Sequence, residues 1–346
     1  MVSQLAHQET LVGDATEFRP DETTKVLRAE RRTTDLRPME CHRSALEVLM
    51  TATATRPNPG PTPAIVPSMK EYLASHGLRE FTDARKHRRW MRGKIGPERC
   101  WTIDWYRGVI AYGDPETRVA MYDVIGAPGV FGPVASERYG AMRASAEVVL
   151  PFLPATGRIL DVGCATGVLT AWWAMHRPRA TFIGCDNTPV AVRTANEEGT
   201  YPANVSFVVA DAIVGLPEGP FDLVISTQSV AENSYDLPDV LGHIASVLTP
   251  GGAYLAVEPL PTERGVQTFA KLASDAGMVL QSLDMVPYRM FGALQAYPVF
   301  EYRRVDAADG SPVASPVDIA EAYATAYRDI FGEQPPAPTK SAGSPA

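Results

Sequence analysis

Three observations predict a doubly wound α/β fold built on a mostly parallel sheet. The stretch RILDVGCATGVLTAWWAMHRPRATFIGCD, Arg158 to Asp186, holds a strand, a glycine turn, a helix, a second strand and a terminal carboxylate. Two more apolar runs follow and end on polar residues, NVSFVVAD at 204–211 and FDLVIST at 221–227. Two extended runs at 278–286 and 297–304 close the pattern.

Arg158 to Val162 suits a buried parallel strand, being short, apolar and followed directly by a glycine. Gly163 and Gly167 free the backbone where it turns sharply into the next helix, so a ligand can approach the main chain closely. Amides at a helix N-terminus favour an anionic or strongly polar ligand group, and an acid ending the second strand, Asp186, suits a ribose diol. The spacing then narrows the nucleotide. A dinucleotide fingerprint wants GxGxxG, whereas the small residues here are Gly163, Ala165 and Gly167, spaced GxAxG. Asp161, two positions before the first glycine, would repel a pyrophosphate and attract a ligand bearing an amino group and a sulfonium.

This pattern resembles motif I of the class I S-adenosylmethionine-dependent methyltransferases, with Ala165 standing at the middle glycine of the family's [DE]xGxGxG turn. The resemblance extends over about 150 residues. It implies a seven-stranded sheet with an antiparallel C-terminal strand pair, and S-adenosylmethionine as cofactor. It also implies roles. Asp161, Gly163, Ala165 and Gly167 form the turn, Asp186 with Asn187 beside it meets the ribose hydroxyls, and Asp211 with Ala212 beside it meets the adenine amino group. Thr227 ends the fourth strand, which opens on the transferable methyl, and LTPGGAYLAVEP at 248–259 is the turn into strand five. The helical spacing of 262–276, stopped by Gly277, precedes the two closing strands.

Methyl transfer from a sulfonium is an in-line displacement, which requires alignment and exclusion of water and only sometimes a base. Candidates for such a base cluster after the fourth strand, in TQSVAENSYD. Glu232 is the first choice as base or acceptor anchor, with a solvated or helix-capping carboxylate as the alternative. His243 is a second candidate, on a helix where surface or packing roles compete. Glu258 stands at the right edge of the sheet, and Tyr112, Tyr235 and Arg289 are further acceptor-side candidates. The family's [ND]PP[YF] run for amino groups of adenine or glutamine is absent, since the position reads STQSVAE. A small-molecule acceptor of O, N or C type follows, with specialised metabolism suggested by the long N-terminal region. Two other readings stay open: a cofactor-binding enzyme of the same fold that catalyses a cyclisation, and an inactive interaction subunit.

Bulk properties are those of an ordinary globular chain, with a hydrophobic fraction of 45%. A net charge of -8 argues against general affinity for nucleic acid or anionic membrane, and no run approaches a membrane span. With no signal-peptide pattern at the N-terminus, a cytoplasmic location is expected. Cys41, Cys100, Cys164 and Cys185 are scattered without metal-binding spacing, so no metal is expected.

Four segments are expected along the chain: an arm and linker at 1–65, a helical lid and acceptor-binding region at 66–145, the cofactor-binding domain at 146–305, and a helix with a proline-rich tail at 306–346. Within the arm, Ser44 to Met50 hints at a short helix. Arg79 to Arg99 carries eight Lys or Arg against three acids, either a solvated helix face or a landing site for an acidic substrate, a carrier protein or RNA. Helices are expected at 115–124 and 136–150, and aromatic residues crowd the segment between Trp101 and Tyr139. They can cap the crevice or build a small auxiliary core. The face of Val317 to Ile330 can pack on the domain or form a homodimer.

Overall fold

The computed structural model describes residues 66–110, 115–199, 201–232, 236–305, 315–333 and 335. The expected helix at 44–50, and Tyr112 and Tyr235, lie outside the described residues.

Among the described residues, seven strands form a sheet in the order β3-β2-β1-β4-β5-β7-β6. They are β1 (Thr156–Val162), β2 (Arg179–Asp186), β3 (Val205–Val209), β4 (Phe221–Thr227), β5 (Leu248–Val257), β6 (Met278–Met290) and β7 (Ala293–Arg304). The first five pair in parallel, while β7 runs antiparallel to both β5 and β6. The strand order reverses between β1 and β4. A crevice opens there at the carboxyl ends of the strands, the place where doubly wound sheets bind ligands.

The strands are apolar because both faces are covered. β1 ends in four successive buried residues, and β5 in six. Helix α7 (Val168–His176) follows the glycine turn and is buried along its length from Val168 to Ala174. The indole of Trp173 donates to the Ala146 carbonyl at 3.1 Å and that of Trp172 to the Pro67 carbonyl at 3.0 Å, so two long side chains bury without orphaning their N–H groups. Asn204 closes the other end of α7, its amide group lying 2.9–3.2 Å from the carbonyls of Ala174, Arg177 and Ala180.

The remaining flanking helices are α8 (Pro189–Glu198), α9 (Leu237–Val247) and α10 (Glu263–Asp275). α10 begins at Thr262, whose hydroxyl accepts from the Gly265 amide at 3.1 Å, and it buries Val266, Phe269, Ala270 and Ala273. The C-terminal helix α11 (Pro316–Phe331) starts on a capping box at Ser315 and Asp318. It sets Ile319, Tyr323 and Ala326 into the same core as Phe269 and Phe300, so this helix packs on its own domain.

Among the described residues, six α-helices precede the sheet: α1 (Met69–Ser75), α2 (Ala84–Ile95), α3 (Pro97–Ile110), α4 (Pro115–Gly126), the short α5 (Phe131–Ala135) and α6 (Tyr139–Val149). Met91, Ile95, Cys100, Ile103, Met121, Ile125, Val130 and Val134 give them a core of their own. The aromatic residues divide. Tyr122 and Phe131 pack against that core, while Trp101 and Trp105 are 62% and 50% exposed.

The strand pair β6–β7 exceeds the sequence expectation at the hairpin end. Pro287 interrupts the β pattern and argues for an earlier stop, yet it sits on the sheet's edge strand, where a missing N–H is tolerated. The hairpin closes on Phe291 and Gly292, both at positive φ (49° and 86°), as a two-residue primed turn requires.

Candidate cofactor and acceptor site

A cavity of about 740 Å³ lies at the β1/β4 reversal, walled by the carboxyl ends of the strands and roofed by α3, α4, α5 and α6. Asp161, Gly163, Ala165, Asp186, Asn187, Asp211, Ala212 and Thr227 all line it. Gly167 stands behind this wall as the N-cap of α7.

The glycine turn explains itself sterically. Gly163 has φ 80°, and a Cβ there would meet the Ser229 Cβ at 2.3 Å. Gly167 has φ 76°, and a Cβ there would strike the Phe207 ring at 2.4 Å. Ala165 adopts the left-handed region with φ 48° although it carries a Cβ, and its N–H donates to Asp186 Oδ2 at 2.9 Å. The same carboxylate accepts from the Thr188 amide through Oδ1 at 2.9 Å. Asp186 is thus oriented by two amides toward the cavity. Burial raises its pKa above the ordinary carboxylate value, against the pull of those donors.

Asp161 is more deeply placed, at 2% exposure. The Thr170 hydroxyl donates to its Oδ2, while Oδ1 is buried without a hydrogen-bond partner. Burial pushes this carboxyl up to about 7, with the Asp186 charge adding to the rise and Thr170 opposing it. A buried carboxylate oxygen facing a cavity without a donor is a costly arrangement that a cationic ligand group would relieve. Asp211 sits after β3, holds the Ile213 amide through Oδ1 at 3.0 Å, and lines the same cavity.

The candidates on the acceptor side scatter more widely. Glu232 closes a one-turn 3-10 helix (Val230–Glu232), and its side chain is outside the described set. His243 lies on α9, half-buried, with Nδ1 2.9 Å from the Ala212 carbonyl, and is not among the residues lining the cavity. Arg289 lies on β6 and donates to the Gly292 carbonyl in the hairpin turn at 2.8 Å. Glu258 is fully buried. Sequence reasoning missed Gln228 and Ser229 in the cavity wall, and Arg107, Arg138 and Met142 in the roof. Gln228 has φ 56°, a conformation for which no glycine or asparagine in the sequence gave warning. Arg107 pairs with Glu137 at 2.9 Å across the roof.

Cys164 and Cys185 are buried free thiols, and burial raises the pKa of each, as expected of space-filling residues rather than nucleophiles. Among the described residues, no group of three or more His, Cys, Asp or Glu converges as a metal site, and no helix is long and apolar enough to cross a membrane.

Residues 155–302 match the family model described as a methyltransferase domain. This stretch runs from β1 into β7 and so is similar to methyltransferase domains over nearly the whole sheet. The residues present fit S-adenosylmethionine: Asp161 Oδ1 is buried without a hydrogen-bond partner to meet a cationic group, Asp186 lines the cavity with its carboxylate held by two amides, and Gly163 permits close backbone approach. Similar proteins include a malonyl-[acyl-carrier protein] O-methyltransferase of Magnetococcus marinus, 33% identical over 127 residues, covering 35% of this chain and 47% of that protein. A demethylmenaquinone methyltransferase of Thermus thermophilus is 34% identical over 113 residues, covering 31% of this chain and 50% of that protein. The chain therefore spans about half the length of these relatives. A solved S-adenosylmethionine-dependent methyltransferase from Methanosarcina mazei aligns with a TM-score of 0.38 at 16% identity, covering 46% of this chain and 97% of that one.

Proposed function

We propose that this protein transfers a methyl group from S-adenosylmethionine to an O, N or C acceptor on a small molecule, as an enzyme of specialised metabolism. The observation that carries this reading is the continuity of the cavity. One space of about 740 Å³ joins the acid-lined end at Asp161, Asp186 and Asp211 to an apolar end under Tyr122, Ile125, Phe131 and Met142. That size suits small ligands, and the helices over the crevice limit the room left for a large acceptor surface.

Bound S-adenosylmethionine supplies a methyl carbon made electrophilic by the sulfonium. The protein supplies position. Asp161 would hold the amino group, Asp186 the ribose hydroxyls and Asp211 the adenine amino group, which leaves the β4 end, Thr227 to Ser229, facing the apolar half of the cavity. Alignment and desolvation there contribute most of the acceleration expected of an in-line displacement. Where the acceptor must lose a proton, Glu232 is the base proposed, at the end of the turn after β4.

A second reading has its own support: an acceptor presented on an acidic carrier protein. α2 exposes Arg85, Lys86, Arg89, Arg92 and Lys94, its Arg88 pairs with Asp104 of α3, and α3 exposes Trp101 and Trp105 and places Arg107 in the cavity lining. The relative from Magnetococcus marinus is named for a carrier-bound malonyl acceptor. The two readings separate in one assay. Purified protein with labelled S-adenosylmethionine is offered a small-molecule extract and, separately, acylated carrier protein. Label on free small molecules supports the first, label only on the carrier supports the second, and label on neither removes both.

A further inference from the structure

Glu258 is the buried carboxylate that cofactor binding does not use. It follows β5 directly and is wholly buried, and its two oxygens accept four hydrogen bonds. Oε1 takes the Ser226 hydroxyl at 2.6 Å and the Val230 amide at 3.3 Å. Oε2 takes the amides of Ser229 at 3.0 Å and Ala231 at 3.2 Å. Three consecutive backbone donors of the segment leaving β4 therefore converge on one side chain.

The residue just before these amides is Gln228, held left-handed at φ 56°. A side chain in that region is strained and persists only where the surroundings over-determine it. They do so here. The Gln228 amide donates to the Val257 carbonyl at 2.9 Å, Glu258 grips the next three amides, and the Ser229 hydroxyl donates to the Val162 carbonyl at 2.8 Å. Gln228, Ser229 and Val230 all line the cavity at the end of β4. The Gln228 side chain makes one long contact, Nε2 to Ser145 Oγ at 3.4 Å, which a polar group on an acceptor could displace.

A buried carboxylate is an expensive way to fasten an ordinary turn, since a charged group leaves water to do it. Burial indeed pushes Glu258 up to about 7 against the pull of its four donors. Such expense is characteristic of functional sites.

We propose that Glu258 is a positioning residue for methyl transfer, clamping the strained Gln228–Ala231 turn so that the Gln228 carboxamide is presented to the acceptor. This assignment rests on the methyltransferase reading. It assigns Glu258 no contact with acceptor or cofactor.

The test uses the full chain and two variants, Glu258→Gln and Gln228→Gly, with S-adenosylhomocysteine as probe. In Glu258→Gln the amides of Ser229, Val230 and Ala231 should exchange about tenfold faster or more, while those of Val224 and Leu255 within the strands hold their rates and probe affinity changes by about threefold at most. Gln228→Gly removes the strained side chain without touching the clamp. It should melt at a higher temperature, bind the probe normally, and lose about tenfold or more in kcat on the acceptor found by the label-transfer assay, with KM for S-adenosylmethionine unchanged. Unchanged exchange at 229–231, a uniform acceleration through β4 and β5, or full turnover by Gln228→Gly would overturn the proposal. Loss of probe binding in both variants would also overturn it, by assigning the turn to the cofactor instead. Should Glu258→Gln not fold, Ser226→Ala removes one donor and is read by the same exchange. A wild-type chain that fails to bind the probe refutes the methyltransferase reading, and the exchange data still report on the clamp.

Discussion

Cofactor binding should release a proton from Asp161, and the size of the effect follows from its surroundings. The carboxyl is buried, one oxygen carries the Thr170 hydroxyl and the other carries nothing, and its pKa rises from 3.8 to about 7. That displacement corresponds to about 4 kcal/mol of preference for the protonated form in the folded chain. An ammonium group placed at Oδ1 stabilises the charged form and returns the carboxyl toward its ordinary range. Binding is therefore linked to deprotonation between about pH 4 and pH 7. Affinity for S-adenosylhomocysteine, which keeps the amino group, should strengthen about 25-fold between pH 5.5 and 7.5, nearly all of it below pH 7. Calorimetry in two buffers of different ionisation enthalpy reads the released proton directly. Asp186 also has a raised pKa and adds to the slope, so Asp161→Asn is the control that isolates Asp161. A wild-type slope that persists unchanged in Asp161→Asn, or no proton release at pH 6, would refute the reasoning.

The same shift predicts the stability of the unliganded chain. Because the folded pKa of Asp161 lies above the unfolded one, its contribution is most favourable below about pH 4 and worsens as pH rises to about 7. Asp161→Asn should thus melt above wild type at pH 7.5, with the advantage falling by about half or more at pH 5 in thermal scans. Ala165→Gly should leave probe affinity unchanged within about twofold and raise stability by up to about 1 kcal/mol in urea titrations, since a left-handed alanine is strained and glycine is not. Gly163→Ala should cost about 1–3 kcal/mol or abolish probe binding, because its Cβ would collide with Ser229 across the turn. A Gly163→Ala protein with wild-type melting and affinity would contradict the packing described.

The parts of this protein legible in its sequence are those where chemistry and backbone period coincide. The run from Arg158 to Asp186 declared β1, the turn, α7 and β2 because buried parallel strands are continuous apolar runs, and because Gly163 and Gly167 have no sterically acceptable substitute. Asp161, Asp186 and Asp211 were recognisable as acids at strand ends. α3 was not legible, since Pro97 to Ile110 mixes polar, aromatic and basic residues with only a weak apolar stripe. The role of Glu258 was also hidden. Its four donors come from β4 and the turn after it, about thirty residues away, and three of them are backbone groups that leave no mark in a sequence. Gln228 illustrates the same limit, because tertiary hydrogen bonds rather than local propensity hold its backbone left-handed.

The central claim, that the cavity at the β1/β4 reversal holds S-adenosylmethionine, is tested most directly by calorimetric titration of the purified chain with that ligand, wild type beside Asp186→Ala. The account predicts one saturable site in the wild type, with affinity weakened about 30-fold or more once the carboxylate at the end of β2 is gone. Absence of binding by a folded wild-type chain, or equal binding by Asp186→Ala, would contradict it.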